Sequence, residues 1–159
     1  GTVFYNFKTK EELYLAVLDE FRGHITLALD EFLAANEFAT GLQRVEGLIG
    51  FYVNLAEKMA DRFLLLHRYD PYRIARSNPA FRRHLEAIYD CIVDAFEKAI
   101  VLGQQDGSII DIPARKTALI VFTSVDGLVR LNTFNLYQAD TLYGELVGAC
   151  RRMLARRET

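Results

Sequence analysis

The stretch Phe7-Lys8-Thr9-Lys10-Glu11-Glu12-Leu13 decides where the fold begins, because it has the features of a helix start. Thr9 and Glu12 have the spacing of a capping box, in which the threonine hydroxyl accepts from the N–H of Glu12 and the Glu12 carboxylate reaches back to the N–H of Thr9. The acidic Glu11 and Glu12 suit the positive end of a helix dipole. We therefore expect a long helix from about Lys10 to about Asn36.

Helical spacing of apolar residues continues through the 159-residue sequence, and no stretch alternates as a strand does. Thr40-Gly41 breaks the first helix, and Asn78-Pro79 is a strong helix start. Gly47 and Gly50 lie inside the second helix and predict either close packing or room for a ligand. The fold class is therefore all-α. Further helices are expected after Gly41, from Pro79 to about Gly103, from Pro113 to about Thr133, and from Ala139 or Asp140 onward. Arg62 to Tyr72 is expected to be a shorter helix or a pair of turns, disrupted by Pro71, and Gly103 to Ser108 is expected to be a loop.

Composition narrows the class of protein. Hydrophobic residues make up 51% of the chain, which indicates a folded body, and no apolar run is long enough to span a bilayer. The net charge of −2 and the pI near 5.9 indicate that most of the surface does not bind nucleic acid, since dedicated nucleic-acid domains are usually basic. Cys91 and Cys150 are expected to be buried thiols in the cytoplasm, in preference to a disulfide.

The segment from Gly1 to Leu13 resembles the end of the DNA-binding unit in the tetracycline-repressor family of bacterial transcription regulators. In that family a glycine and a threonine of the recognition helix precede an aromatic pattern ending in Tyr-x-Phe, followed by Lys-x-Lys-Glu-x-Leu. This chain has Tyr5-Asn6-Phe7 and Lys8-Thr9-Lys10-Glu11-Glu12-Leu13 at the matching positions. The resemblance implies contacts with DNA phosphates, which fix orientation rather than sequence. The candidates that it implies are Thr2, Tyr5, Lys8 and Lys10.

The first two helices of the family's DNA-binding unit, and the start of its third, have no counterpart in this sequence. Those helices insert the recognition helix into the major groove. We therefore expect residues 1–9 to be a remnant of the recognition helix and turn, and residues 10–159 to be a helical ligand-binding and dimerisation domain. The implied function is a ligand-responsive transcription regulator, acting as a repressor, that binds operator DNA as the full-length protein.

Signatures of catalysis and of metal binding are weak. The histidines stand apart, and the sequence has neither Cys-x-x-Cys nor Glu-x-x-His. It also has no Gly-x-Ser-x-Gly and no phosphate-binding glycine loop before a helix. We expect no metal, no cofactor and no enzymatic activity. His67 and Asp70, three residues apart on one helical face, remain an alternative acid–base or metal pair, although an ion pair is the favoured interpretation.

Faces that mix apolar and polar residues predict a small-molecule pocket. Asp126 and Arg130 are spaced i and i+4 within an otherwise apolar helix, and a buried charged pair needs a reason. Large apolar residues interrupted by a few polar ones are what a ligand cavity needs, although a helical core needs them as well. The predicted lining is Tyr52, Leu55, Phe63, Leu66, His67, Phe122, Asp126 and Arg130.

Residues 67–84 hold five arginines and two histidines against the single acid Asp70. Arginine binds carboxylates and phosphates, so one interpretation is a pocket mouth that receives an apolar effector with an anionic group. The favoured alternative is a solvated helix face with salt bridges to the acidic first helix.

The last two helices predict a homodimer. Two helices from each subunit would form a four-helix bundle around a two-fold axis, as in the resembled family. The alternatives for the whole protein are a helical protein-interaction module unrelated to DNA and a helical enzyme that uses His67 and Asp70. The predicted interface consists of Val121, Ser124, Val125, Leu128, Leu142, Leu146, Cys150 and Met153.

Overall fold

A computed structural model of the chain describes residues 8–156, apart from the side chains of Tyr69 and Asp70. Within that range the chain forms helices and no strand, so the predicted all-α fold is confirmed. Residues 1–7 of the predicted remnant lie outside the described residues. The helices are α1 (Lys10–Ala35), α2 (Gly41–Lys58), α3 (Ala60–Leu66), α4 (Tyr69–Ser77), α5 (Pro79–Asp106), α6 (Ala114–Thr133) and α7 (Tyr143–Leu154), with a 3-10 turn at Ala139–Leu142 between α6 and α7.

The start of α1 has the predicted cap with one difference. The Thr9 hydroxyl accepts from the N–H of Glu12 at 3.1 Å, as a capping box requires. The Glu12 carboxylate accepts from the N–H of Lys8 at 2.7 Å, one residue before the cap, rather than from Thr9. Both bonds satisfy backbone donors that the first helical turn leaves unpaired. The buried face of α1 consists of Tyr14, Leu18, Phe21, Ile25 and Leu29.

The central helix is α5, which packs against α1, α2, α4 and α6. An aromatic cluster links α1, α2 and α3. Phe63 of α3 packs edge to face against Phe21 of α1 at 5.2 Å and against Tyr52 of α2 at 5.4 Å, measured between ring centroids. All three residues are almost fully buried. Edge-to-face pairs of this kind add to the stabilisation from burial, so α1, α2 and α3 are held as one unit.

Several helix boundaries differ from the expected ones. The expected short helix or pair of turns across Arg62 to Tyr72 is two short helices, α3 and α4, and the break lies at His67-Arg68 rather than at Pro71. Pro71 lies in the first turn of α4, where its missing N–H costs no helical hydrogen bond. The expected loop from Gly103 is the last turn of α5, which ends where Gly107 adopts a φ of 82°. Boundaries predicted from proline and glycine alone were therefore wrong at these two points.

The glycines of α2 lie close to other atoms, namely backbone at Gly41 and side chains at Gly47 and Gly50. A Cβ on Gly41 would overlap the backbone of Gly103 in α5, and one on Gly47 would overlap the ring of Phe38. A Cβ on Gly50 would lie 2.9 Å from the hydroxyl oxygen of Tyr143. These positions therefore serve close packing, which was one of the two interpretations of the glycines inside α2.

Replacing Gly41 by alanine is expected to lower the free energy of unfolding by about 2 kcal/mol or more, because overpacking against backbone forces α2 and α5 apart. Urea denaturation followed by circular dichroism measures the loss. Gly23→Ala in α1 is the matched control, since no heavy atom lies within 4 Å of its added Cβ. That control is expected to stabilise the helix by about 0.5–1 kcal/mol. Equal stability of the two variants would contradict the packing argument.

Two smaller expectations concern the membrane and the cysteines. Among residues 8–156, no helix has the length and apolar content needed to cross a membrane. Cys91 and Cys150 are free thiols, so the expectation of thiols in preference to a disulfide is confirmed. Burial raises the pKa of the Cys91 thiol to about 11, which keeps it protonated and unreactive near neutral pH.

Candidate functional site

The carboxylate of Asp126 on α6 is the centre of a buried polar cluster. Its Oδ1 accepts a hydrogen bond from the Tyr52 hydroxyl at 2.8 Å and one from His67 Nε2 at 3.1 Å. Tyr52 comes from α2, and His67 follows the last residue of α3. The Asp126 side chain is only 12% exposed, and that of His67 is 0% exposed. Three helices therefore converge on one buried carboxylate.

The cluster continues through Arg130, one turn further along α6. Its Nη2 lies 3.6 Å from Asp126 Oδ2 and donates to the Tyr72 hydroxyl at 2.7 Å. The hydroxyl oxygens of Tyr72 and Tyr89 are 2.6 Å apart, which joins α4 to α5. Neither tyrosine could be predicted from the sequence as part of the site, because no local spacing connects them to α6. We call these six residues the Asp126 network: Tyr52, His67, Tyr72, Tyr89, Asp126 and Arg130.

The charges of the network are set by its surroundings. Burial acts to raise the pKa of Asp126, but the hydrogen bond and charge of His67, the Tyr52 hydroxyl and Arg130 outweigh it and hold this pKa below its ordinary value. Burial, followed by the charge of Asp126, raises the pKa values of Tyr52 and Tyr89. Near neutral pH the network therefore contains an ionised carboxylate surrounded by neutral hydroxyl donors and one arginine.

One ring nitrogen of His67 is buried but makes no hydrogen bond within the network. Nε2 faces Asp126, and the other ring nitrogen, Nδ1, is buried as well. Among the described residues, Nδ1 has no hydrogen-bond partner. A buried polar atom without a partner costs stability, and such atoms are uncommon in folded proteins. The unpaired Nδ1 therefore marks the junction between α3 and α4 as a candidate functional position.

The eight predicted pocket residues come together, but they do not enclose an open pocket. The ring of Phe122 packs against Tyr52 at 5.6 Å and that of Phe63 packs against His67 at 5.9 Å, while Leu55 and Leu66 are buried in the same core. The side chains thus fill the space between themselves. None of the eight lines any of the four grooves described within residues 8–156. Ligand binding at these residues stays a prediction, and it requires the cluster to open.

The arginine-rich segment 67–84 lies on the surface. Arg68, Arg73, Arg76, Arg82 and Arg83 are all exposed. His84 Nδ1 lies 3.4 Å from a carboxylate oxygen of Asp19 on α1, the kind of contact expected for the solvated face. The Asp70 side chain lies outside the described residues, and His67 is paired with Asp126. The positions therefore favour the interpretation of a solvated face over that of a pocket mouth.

The predicted dimer residues divide into two sets. Val121 and Val125 are each 0% exposed, and Leu128 and Cys150 are buried too, so these four pack inside the subunit and do not form the exposed surface that the predicted interface needs. They lie on the side of α6 and α7 that meets α2 and α5. Among the others, Ser124, Leu142 and Met153 are exposed and Leu146 is partly buried. We call the outward side of these helices the outer face: Leu119, Ile120, Thr123, Ser124, Gly127, Leu142, Leu146, Ala149 and Met153.

Two of the predicted DNA-contacting residues lie within the described range. Lys8 and Lys10 are exposed at the start of α1, and the Lys10 ammonium lies 5.8 Å from the centroid of the Tyr14 ring. Thr2 and Tyr5 lie outside the described residues. The contacts of all four with DNA stay predictions.

Comparisons with known proteins give one likeness of fold. No family model and no curated protein matches the chain. A solved structure described as "Structure of a protein with unknown function from Rhodococcus sp. RHA1" is similar, with a TM-score of 0.71 and 19% sequence identity. The match covers 95% of this chain and 77% of that chain. At this identity the likeness shows a shared fold alone.

Proposed function

We propose that this protein is the sensor and dimerisation part of a ligand-responsive DNA-binding regulator of the tetracycline-repressor type, acting as a repressor. The observation that carries the proposal is the segment Gly1 to Leu13, which has the family's pattern and leads into the capped start of α1. The all-α body and the buried Asp126 network are compatible with it. The fold likeness, to a protein of unknown function, neither adds to the proposal nor opposes it.

A mechanical connection from the Asp126 network to α1 supports the idea of switching. His67 joins the network to the end of α3, and Phe63 of α3 packs on Phe21 of α1. An effector that displaces α3 therefore changes the packing of the helix next to the proposed DNA-binding head. The effector shifts the equilibrium only if it binds one arrangement more tightly than the other. In that case the two heads of a dimer lose the spacing that matches successive major grooves.

The experiment that tests this proposal begins with the gene upstream of Gly1. It is expected to encode a helix-turn-helix segment of about fifty residues, the size of a three-helix head. The longer protein is expected to bind DNA from its own promoter region in a fluorescence-anisotropy titration, and the 159-residue chain to bind it weakly. A gene without such a segment, or a longer protein with no preference for its promoter, would overturn the proposal.

A second candidate function is a protein-interaction module unrelated to DNA. The apolar outer face of α6 and α7 favours it, because exposed contiguous apolar surface marks interaction sites. Promoter binding by the longer protein separates this candidate from the first. The enzymatic alternative has no comparable support, since the side chain of His67 is buried and paired with Asp126.

A further inference from the structure

A groove lies at the end of the subunit where α1 ends, α2 begins and α5 ends. Its volume is about 410 Å³, enough for a small organic molecule. The apolar part of its wall comes from Leu33 of α1, Phe38 of the α1–α2 connection and Leu102 of α5. The ring of Phe38 packs against that of Phe32 at 5.9 Å between centroids, so this wall is preformed. We call this space the Arg44 groove, after the arginine of α2 that lines it.

Arg44 has a buried hydrogen-bond donor without an acceptor. Among residues 8–156, two buried side-chain nitrogen or oxygen atoms make no hydrogen bond, namely Arg44 Nε and His67 Nδ1. Arginine is always protonated in proteins, so its Nε carries a hydrogen and can only donate. Because a buried donor without an acceptor costs stability, such atoms are uncommon in folded proteins. An acceptor from outside the chain is one way to satisfy Arg44 Nε.

The charge of Arg44 also has no partner within the described part of the chain. Arg22, Arg115 and Arg151 each lie 4.0 Å or less from a carboxylate oxygen, whereas no ion pair among residues 8–156 involves Arg44. A guanidinium is planar and presents its N–H groups as a fork that fits a carboxylate. Arg44 therefore offers a positive charge and a directed donor, and both are complementary to an anion.

The acid on the lining of the groove does not satisfy Arg44. The carboxylate oxygens of Asp106 accept from the N–H of Gly41 at 2.7 Å and from the N–H of Ser108 at 2.8 Å. Hydrogen bonds from Ser108, followed by the one from Gly41, hold the pKa of Asp106 below its ordinary value. The Ser108 hydroxyl in turn accepts from the N–H of Leu42 at 3.2 Å. The first N–H groups of α2 are therefore already bonded, and the attraction for an anion comes from Arg44 rather than from the helix N-terminus.

We infer that the Arg44 groove binds organic anions with an apolar chain, such as medium-chain carboxylates. The carboxylate accepts from the Arg44 guanidinium, including its Nε–H, and the chain packs against Leu33, Phe38 and Leu102. None of the six residues of the Asp126 network lines this groove. The site is therefore separate from that network, and it stands whether or not the protein regulates transcription.

The Arg44 groove lies at the opposite end of α1 from the segment that carries the proposed function. Leu33 is in the last turn of α1, about 35 Å from Lys10 at the rise of an α-helix. The anion is therefore not an operator phosphate, and the 159-residue chain is sufficient to test the site.

The test observes the Arg44 Nε–H directly by proton–nitrogen correlation NMR of the 159-residue chain. Decanoate is expected to shift this cross-peak in a saturable titration, and the loss of the cross-peak in Arg44→Gln identifies it. Acetate has the same head group without the chain, and decyltrimethylammonium has the chain with the opposite charge. Each is expected to bind at least about tenfold more weakly than decanoate.

Arg44→Gln is expected to lower the decanoate affinity by at least about tenfold in isothermal titration calorimetry, as for a lost hydrogen bond to a charged group. The matched control is Arg22→Gln, which removes the same charge from the groove between α1 and α5, where Arg22 lies 4.0 Å from a carboxylate oxygen of Asp19. It is expected to leave the decanoate affinity unchanged. Thermal unfolding by circular dichroism checks that both variants fold.

Four outcomes would each overturn the inference. Equal affinity for decanoate and acetate would show that the apolar wall takes no part, and equal affinity for decanoate and decyltrimethylammonium would show that the charge of Arg44 takes none. The other two are a decanoate titration that leaves the Arg44 Nε–H cross-peak unmoved and full decanoate affinity in Arg44→Gln. The comparison of the three ligands uses the unaltered chain, so it decides the question even if a variant does not fold. Promoter binding by the longer protein enters none of these measurements, so the groove and the proposed function can fail separately.

Discussion

Replacing Asp126 by alanine is expected to lower the free energy of unfolding by about 3–5 kcal/mol, the usual cost of breaking a buried charged cluster by removing one partner. The substitution leaves the buried hydroxyl of Tyr52 and the buried Nε2–H of His67 without their acceptor. It also removes the carboxylate that faces Arg130 at 3.6 Å. Urea denaturation at pH 7, followed by circular dichroism, measures the loss.

Two further variants separate hydrogen bonding from charge and from general destabilisation. Asp126→Asn keeps an oxygen acceptor for the Tyr52 hydroxyl and loses the charge, so it is expected to cost about 1–3 kcal/mol, less than the alanine variant. Asp30→Ala, an exposed aspartate on α1, is expected to change stability by no more than about 0.5 kcal/mol. If Asp126→Ala is no more destabilised than Asp30→Ala, the network does not stabilise the fold.

A double-mutant cycle with Tyr52→Phe measures the contribution of the Tyr52–Asp126 hydrogen bond. In the Tyr52→Phe background the hydroxyl that Asp126→Ala leaves unpaired is already absent. The alanine substitution should therefore cost about 1 kcal/mol less there than in the unaltered protein. Additive losses would show that the Tyr52–Asp126 hydrogen bond contributes nothing measurable.

The contribution of Asp126 depends on pH with a definite sign. Because its pKa in the folded protein is held below the ordinary value, its contribution is complete above the pKa of the unfolded chain, about 3.9 for aspartate. It is lost as the pH falls through the lower, folded pKa. The stability gap between the unaltered protein and Asp126→Asn should therefore be full at pH 7 and shrink below about pH 4. Denaturation curves at pH 7, 5 and 3 measure it, and a gap that stays constant would contradict this assignment of charge.

Helix starts could be predicted from the sequence where a cap is a local signal. Thr9 caps α1, and the Asn78 side chain accepts from the N–H of Phe81 at 3.0 Å just before Pro79 opens α5. Such caps act over three residues, so their spacing is visible in the sequence. The end of α5 could not be predicted in this way. Gly103 allows close contact between α5 and α2, and it does not end the helix.

The candidate site could be predicted only in part, because its contacts join distant residues. Asp126 was recognised as an unusual charge in an apolar helix. Its partner His67 is 59 residues away, whereas local spacing offered only Asp70. On α6 the sequence has apolar residues on both sides, so spacing could not tell the inward Val121 from the outward Ile120. Packing of α2 and α5 against α6 decides that orientation.

Replacing Ile120 by arginine is expected to weaken the proposed homodimer by at least about 100-fold, or roughly 2.7 kcal/mol. Ile120 is 56% exposed in the subunit and lies within the outer face of α6 and α7. In a two-fold interface each substitution appears twice, so two guanidinium groups would be brought into an apolar contact. Sedimentation velocity over a range of protein concentrations measures the shift from dimer to monomer.

Leu27→Arg on α1 is the matched control, because Leu27 is 58% exposed and undergoes nearly the same chemical change away from the outer face. Both variants replace exposed side chains, so each should alter the stability of the subunit by no more than about 0.5 kcal/mol. If the dimer persists in Ile120→Arg, the outer face is not part of the interface. Dissociation by Leu27→Arg would place the contact on α1 instead.

In the longer protein, Ile120→Arg should also abolish tight promoter binding, because a monomer presents one head where the paired half-sites need two.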